Sequence, residues 1–266
     1  MDVCSIMPGR AILVTSFGTT YNDTRAKTID AIEKDIADAF PEWDVRRAWT
    51  SRRIITKLKE RDGTSIDYIT EAMDRLSAEG FEEVVVQPTH IMNGEEYDSI
   101  VDAVKSHRGS IARIAVGKPL LTTSEDYDAA VGAVESCLLP LSGKRDLVLM
   151  GHGTAHYGNS AYCELQMKLW SHGLGSVFVT TVEGYPSFED TRVLMRRRDC
   201  RKVVAIPFMV VAGDHANNDM AGDDDSLRTF LESEGYEVEC IVRGLGEFEG
   251  FRRLFVGHIR DAMSSL

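Results

Sequence analysis

Residues 147–157 read Leu-Val-Leu-Met-Gly-His-Gly-Thr-Ala-His-Tyr, and residues 12–21 read Ile-Leu-Val-Thr-Ser-Phe-Gly-Thr-Thr-Tyr. Both stretches are apolar runs of strand length that lead into a glycine-containing loop. When the two are aligned, Phe17 corresponds to His152. Such runs are typical of buried strands in an α/β sheet, and their similarity indicates a duplicated fold.

A second matched pair follows in the same order in each half. Val84–Glu96 aligns with Val203–His215, so that Glu96 corresponds to His215. The second half therefore carries a histidine at both positions, whereas the first half carries neither. This asymmetry indicates a functional site between two similar domains.

Strand-length apolar runs alternate with longer segments of helical period. The predicted strands are Ala11–Ser16, Asp44–Ala48, Glu83–Gln87, Ile111–Val116, Asp146–Met150, Ser176–Val182, Lys202–Met209 and Glu237–Val242. The predicted helices are Thr24–Ala39, Ser65–Glu79, Glu95–Ser106, Glu125–Leu138, Ala161–Ser171, Phe188–Arg197, Ser226–Ser233 and Phe248–Met263. This alternation predicts an α/β fold of two similar doubly wound, Rossmann-like parallel-sheet domains with an interdomain cleft.

The pattern is interrupted at Leu139–Arg145, where proline, serine and glycine replace the apolar periodicity. We therefore predict an N-terminal domain over residues 1–142 and a C-terminal domain, bearing the two histidines, over residues 143–266. The closing helix over residues 248–263 is a candidate for packing back on the first domain.

The composition limits the kind of partner. The chain has 266 residues, of which 42 are acidic and 30 basic, and its net charge is −12. This excess argues against nucleic acid, because phosphate binding favours a basic surface. No apolar run approaches the ~20 residues that span a bilayer, and Met1–Arg10 shows no secretory signal. The five cysteines are scattered without a C-x-x-C pair, so a reduced, cytoplasmic location is expected.

Three missing motifs narrow the chemistry further. The chain has no G-x-x-x-x-G-K-[ST] phosphate loop and no G-x-G-x-x-G after the first strand, so neither ATP nor a dinucleotide is expected to bind. No G-x-S-x-G turn is present, which argues against a serine hydrolase.

His152, Glu183 and His215 each follow a predicted strand of the second half, at intervals of 31 and 32 residues. One βαβ unit takes about 30 residues, so these side chains are expected at one edge of the sheet. Two imidazoles and a carboxylate suit a first-row divalent ion and leave coordination positions open, and the imidazoles are also candidate proton acceptors. The alternative is that the two histidines are solvated loop residues.

Other polar residues have two interpretations. His90 follows a strand of the first half and either faces the cleft or packs as a capping residue. Arg46–Arg53 is the strongest basic cluster, and it either binds an anionic ligand or forms ion pairs at a helix start. We favour Arg52 and Arg53 for ligand contact.

Four segments together resemble a known family: Ser16–Tyr21, His90–Tyr97, Gly151–Gly153 and Ala212–Met220. They resemble the anaerobic-pathway cobalt chelatases, which belong to the homomeric, ATP-independent chelatases related to ferrochelatase. The similarity runs from about residue 11 to the end of the chain. The Gly-Asp-His-Ala-x-Asn-Asp-Met string is the most specific part of it.

The resemblance implies an enzyme that inserts Co²⁺ into sirohydrochlorin for cobalamin synthesis, with no ATP, nucleotide or cofactor beyond the substrate metal. The metal-binding, proton-accepting histidines of the family map onto His152 and His215, and its metal-ligating glutamate maps onto Glu183. Glu96 matches a glutamate of the first domain. Arg52, Arg53 and His90 are our further candidates for substrate contact, and a homo-oligomer is left open.

Two alternatives remain at this point. In the first, the metal is Fe²⁺ and the product is sirohaem, because the type of ligand does not distinguish Fe²⁺, Co²⁺ and Ni²⁺. Alternatively, the chain is a non-catalytic carrier of a tetrapyrrole or a metal.

Overall fold

Two four-stranded parallel sheets form the frame of the protein in a computed structural model, which describes residues 9–266. The first sheet consists of β1 (Gly9–Ser16), β2 (Asp44–Trp49), β3 (Phe81–Pro88) and β4 (Arg113–Val116). The second consists of β5 (Asp146–Gly151), β6 (Val177–Thr181), β7 (Lys202–Pro207) and β8 (Glu237–Cys240). The orders β2-β1-β3-β4 and β6-β5-β7-β8 are equivalent, which confirms the predicted α/β fold with two similar parallel sheets.

Helices connect the strands and cover the sheets. Those before β5 are α1 (Asn22–Lys27), α2 (Ile29–Ala39), α3 (Arg52–Asp62), α4 (Ile69–Ala78), α5 (Glu95–His107), α6 (Ser124–Ala133) and α7 (Leu139–Ser142). Those after β5 are α8 (Ser160–Ser171), α9 (Phe188–Met195), α10 (Leu227–Ser233) and α11 (Glu249–Met263). None of the described helices combines the length and the apolar character needed to pass through a bilayer. Residues 1–8, with Cys4 and most of the stretch that shows no secretory signal, lie outside the described residues.

The segment predicted as one helix over Thr24–Ala39 is two helices, because the chain breaks at Thr28. The backbone of Thr28 leaves the helical region (φ −119°, ψ −80°), and its hydroxyl donates to the Thr24 carbonyl at 2.6 Å. Gly246 lies directly against it, since a Cβ at this glycine would come within 2.8 Å of the threonine Cβ. The break therefore accompanies packing from the far end of the chain, which local periodicity does not report.

Helix α4 also differs from its prediction, because the predicted helix over Ser65–Glu79 begins only at Ile69. The residues just before it pair with the end of β2 instead. The Trp49 N–H donates to the Asp67 carbonyl at 3.0 Å, and Trp49 forms a parallel bridge with Tyr68. Helix α3, on the other side of this pairing, was absent from the predicted set.

The last helix, α11, packs on the first half and joins a hydrophobic cluster that extends into the second. Its buried face, which includes Phe251, belongs to a hydrophobic cluster that contains strand residues of both sheets. On the first half it packs on α2, α6, β3 and β4, and Arg252 Nε donates to Asp35 of α2 at 2.6 Å. The division into residues 1–142 and 143–266 stays a prediction.

Candidate metal centre

The register of the second sheet brings the ends of three strands to one edge. Gly151, the last residue of β5, pairs with Thr181 at the end of β6. On its other side Met150 pairs with Pro207 at the end of β7. Because all three strands are parallel, the loops that follow them leave the sheet together. His152, Glu183 and His215 lie in these three loops.

The loop after β5 turns sharply at Gly153, whose φ of +80° lies in the left-handed region. A Cβ at this glycine would come within 2.6 Å of the Gly184 nitrogen, so only glycine fits. The Glu183 N–H donates to the His152 carbonyl at 2.8 Å and ties this loop to the loop after β6. Gly18, the counterpart of Gly153 in the first half, also has a positive φ of +99°, which extends the duplication to backbone conformation.

His215 lies at the start of a short helical segment that becomes a π-helical turn over residues 216–220. This turn places Asp219 on the same side as His215. The His215 Nδ1–H donates to Asp219 Oδ2 at 2.8 Å. The imidazole is therefore held in one orientation by its own helical turn.

The two imidazoles meet at their Nε2 atoms, which lie 3.0 Å apart, and their ring planes are nearly perpendicular at 89°. His152 Nδ1 lies 2.7 Å from the Gly153 carbonyl oxygen, and His215 Nδ1 faces the Asp219 carboxylate. A carbonyl and a carboxylate accept hydrogen bonds, so we assign the proton of each neutral ring to Nδ1. Both Nε2 lone pairs then face each other, and either a proton or a metal ion between them satisfies both.

This geometry suits a divalent metal ion. Two nitrogens bound at ~2.1 Å and at a right angle are separated by about 3.0 Å, the separation that the pair shows. Metal-ligating histidines almost always donate their second ring N–H to a carboxylate or a backbone carbonyl. His152 and His215 both meet this condition, one with each kind of acceptor.

Glu183 is tied to the pair through its backbone, whereas its side chain is exposed. Among residues 9–266, no group of three or more His, Cys, Asp or Glu side chains is arranged to hold a metal ion. The role of Glu183 as a third ligand therefore stays a prediction, and it requires the carboxylate to turn towards the imidazoles.

The candidates of the first half lie at the matching edge of the first sheet. Glu96 is in the first turn of α5 and is partly exposed. His90 follows β3, and its Nε2 lies 3.4 Å from the Thr50 hydroxyl, while its buried Nδ1 has no hydrogen-bond partner among the described residues. Burial lowers the pKa of His90 to about 4, so the ring is neutral near pH 7. Its contact with substrate stays a prediction.

The basic cluster divides into paired and exposed members. Arg46 pairs with Asp44 of its own strand and with Glu79, and Arg47 pairs with Asp30 and Glu33 of α2. Arg52 and Arg53 begin α3 and are exposed. Arg52 stacks over the Tyr68 ring at 3.7 Å and lies 3.6 Å from Glu71. An anionic ligand at this position would therefore meet exposed guanidinium groups.

Three contacts of the loops that carry the pair were not predicted from the sequence. Asp219 orients His215, as described above. The Tyr21 hydroxyl donates to Asp214 Oδ1 at 2.6 Å, which joins the two halves beside His215. On the other side, His156 Nε2 lies 3.3 Å from Asp98 of α5. Tyr21, Asp214 and Asp219 all lie in the segments that resemble the chelatase family. Membership of those segments was the one sequence signal that could have identified them as functional residues.

Comparison with known proteins adds a family to this geometry. A sequence model of the family described as cobalt chelatase (CbiK) matches residues 10–264. Sirohydrochlorin cobaltochelatase of Salmonella typhimurium is 38% identical over 256 residues, covering 96% of this chain and 97% of that protein. Sirohydrochlorin cobaltochelatase CbiKC of Nitratidesulfovibrio vulgaris is 30% identical over 269 residues, covering 98% and 93%.

Solved structures share the fold at lower identity. SirB from Bacillus subtilis with Fe³⁺ superposes with a TM-score of 0.63 and 13% identity, covering 96% of this chain and 95% of that one. CbiX, described as the terminal enzyme of sirohaem biosynthesis in denitrifying bacteria, superposes with a TM-score of 0.57 and 17% identity, covering 95% and 99%. At these identities the likeness concerns the fold alone.

Proposed function

Because this chain belongs to the cobalt chelatase (CbiK) family, we propose that it inserts Co²⁺ into the tetrapyrrole sirohydrochlorin. The family that the four sequence segments indicated is confirmed by these matches. Within the structure, the observation that carries the proposal is the pair of Nε2 atoms of His152 and His215, 3.0 Å apart and each oriented through its Nδ1 atom.

The proposed reaction exchanges one ion for two protons. Co²⁺ first binds the two Nε2 lone pairs of His152 and His215, with Glu183 as a third ligand that contributes negative charge. The metal then moves to the ring nitrogens, which lose two pyrrole protons. As the metal leaves, both imidazole lone pairs become free to accept those protons. The two positive charges of the protons then replace the two positive charges of the metal ion.

The opposite half would hold the macrocycle. The pyrrole hydrogens of the macrocycle point towards its centre, so the ring must be distorted before the metal enters. A cleft between the two halves can hold the ring in a distorted shape. Glu96 occupies the position in the first half that His215 occupies in the second. We propose that Arg52 and Arg53 bind peripheral carboxylates, because guanidinium groups pair with carboxylates in a bidentate manner.

A groove of ≈ 690 Å³ between the halves offers further cationic contacts beside Tyr21. Its cationic lining residues are Lys27, Arg61 and Arg243, of which Arg61 pairs with Asp62 and Arg243 with Glu247. We propose that the reaction needs no nucleotide and no cofactor beyond the substrate metal. A cytoplasmic location and a homo-oligomeric state stay predictions.

An absorption assay tests the proposal. Purified protein is incubated with sirohydrochlorin and Co²⁺, and the spectral change of metalation is compared with a protein-free control. Acceleration over the control is the expected result. Stoichiometric binding of sirohydrochlorin without acceleration would instead identify a carrier. A parallel reaction with Fe²⁺ distinguishes sirohaem synthesis, since faster insertion of Fe²⁺ than of Co²⁺ would contradict the assigned metal.

A further inference from the structure

Large apolar side chains that remain exposed are concentrated at the carboxyl ends of the strands. Among residues 9–266 they are Phe17, Tyr21, Tyr157, Met167, Tyr185, Val193 and Val242. Met167 and Val193 lie within α-helices, and the other five follow β1, β5, β6 or β8, with Tyr157 at the start of a 3-10 turn. Isolated exposed apolar residues are ordinary, but a concentration at the carboxyl-end edges of the two sheets marks a binding surface.

Phe17 occupies the most informative of these positions, because it is the counterpart of His152 in the duplicated fold. Its surface is 48% exposed. The local packing holds it there: the Ser51 N–H donates to the Phe17 carbonyl at 3.3 Å, and Gly18 lies against the buried Trp49 ring. A Cβ at Gly18 would come within 2.6 Å of that ring. The exposure of Phe17 is therefore a property of a supported loop.

The Phe17 loop reaches the loop that carries His215. A Cβ at Gly213 would lie 3.9 Å from Thr19 Oγ1, and Tyr21 donates a hydrogen bond to Asp214. The direct contact between the two loops is therefore made by Tyr21, four residues after Phe17. A second exposed aromatic, Tyr185, lies two residues after Glu183 in the loop that follows β6 and is 59% exposed. Strand β6 pairs with β5 on the side away from β7.

We propose that Phe17 and Tyr185 form an aromatic surface on which the flat, conjugated face of the tetrapyrrole packs. The inference rests on the proposed function, which supplies a planar substrate. His152 and Phe17 occupy equivalent positions of the duplicated fold. The second half would then present a metal-binding nitrogen there, and the first half an apolar ring. Stacking against another π-system lowers the free energy of an aromatic ring, and without substrate the Phe17 ring is exposed to solvent. Phe17 would thereby favour the first binding of a flat macrocycle, before the ring is distorted, without contacting the metal.

Binding of metal-free sirohydrochlorin tests this role directly. We expect Phe17→Ala to raise the dissociation constant about tenfold, which corresponds to ~1.4 kcal/mol. Co²⁺ binding, measured without sirohydrochlorin, should stay within about twofold of wild type. Phe17→Tyr keeps the aromatic face and should bind like wild type. Val193→Ala, an exposed apolar position on α9, is the matched control and should leave both measurements unchanged.

The outcomes separate this inference from the proposed function. Insertion of Co²⁺ by wild type, together with unchanged sirohydrochlorin binding by Phe17→Ala, would overturn the inference alone. Weaker binding by Phe17→Ala in a protein that inserts no metal would support the aromatic surface and contradict the chelatase proposal. If Phe17→Ala does not fold, weaker binding by a folded Phe17→Leu than by Phe17→Tyr supports the inference, and equal binding overturns it.

Discussion

The Nε2 atoms of His152 and His215 lie 3.0 Å apart, with the Nδ1 atom of each ring already engaged. This relationship leaves two lone pairs directed at one position, which a proton or a metal ion can fill. A pair arranged in this way can bind the incoming metal and receive protons after the metal departs. The predictions below test the pair, its supporting residues and the contacts between the two halves.

Replacement of either histidine should abolish metal insertion. For His152→Ala and His215→Ala we expect losses of at least about 10²-fold in rate, since each removes one metal ligand and one proton acceptor. Both side chains are only partly buried, so the fold should persist in circular dichroism and thermal unfolding. Near-normal insertion by either folded variant would contradict the mechanism.

Glu183→Gln tests the carboxylate as a third ligand. The amide keeps the shape but loses the charge, so we expect weaker Co²⁺ binding and slower insertion with little change in stability, because the side chain is exposed. Co²⁺ titration of the protein alone provides the measurement. Glu189→Gln, an exposed glutamate in the first turn of α9, is the control. Equal Co²⁺ affinity in both variants would show that Glu183 is not a ligand.

Asp219 should act as a positioning residue for His215. Asp219→Ala removes the acceptor of the Nδ1–H bond, and loss of such a partner typically weakens metal binding about 10–100-fold. Asp219→Asn retains a carbonyl acceptor and should recover part of the affinity. Calorimetric titration with Co²⁺ distinguishes the two variants. An alanine variant that binds Co²⁺ as tightly as wild type would exclude this role.

The hydrogen bond between Tyr21 and Asp214 should stabilise the contact between the halves. The bond to Asp214 raises the pKa of Tyr21, so the hydroxyl stays protonated and donating through the neutral range. We expect Tyr21→Phe to lower the free energy of unfolding by about 1 kcal/mol, measured by urea denaturation. Tyr157→Phe, which changes a more exposed hydroxyl, should have no effect. Equal stability of Tyr21→Phe and wild type would show that the bond contributes nothing.

His90 should make stability depend on pH below neutrality. Its pKa is lowered from 6.5 to about 4 in the folded protein by burial, so the unfolded chain binds a proton first as the pH falls. Stability is then lost between about pH 6.5 and pH 4, by an amount of the order of 3 kcal/mol. His90→Gln cannot titrate and should lose less over this range. Identical pH profiles of unfolding for both proteins would contradict the assignment.

Strands β1, β3, β5, β6 and β7 were predictable because each contains a short, nearly continuous apolar run, as burial on both faces requires. Strands β2, β4 and β8 are partly exposed. The predicted bounds of all these strands differ from the observed ones by three residues or fewer, and the equivalence of the two halves was visible in the matched segments. His152, Glu183 and His215 were placed at one edge because parallel strands of regular spacing leave the sheet on the same side. These inferences need only the order and spacing of residues along the chain.

Helix bounds that depend on contacts between distant segments could not be predicted from local pattern. The break at Thr28 accompanies packing against Gly246, and the late start of α4 follows from the pairing of Trp49 with Asp67. Neither partner is close in sequence, so helical periodicity carried no information about them.

Regular spacing was enough to bring the loops of His152 and His215 to one edge, because strand direction and connection length follow from local pattern. The direction in which each imidazole points is set by the hydrogen-bond acceptor of its Nδ1 atom, which regular spacing does not predict. It depends on the carbonyl of Gly153 and the carboxylate of Asp219, whose positions follow from a left-handed turn and a π-helical turn. Tertiary packing sets those backbone conformations, and hydrogen-bond direction then leaves the two Nε2 lone pairs facing one another.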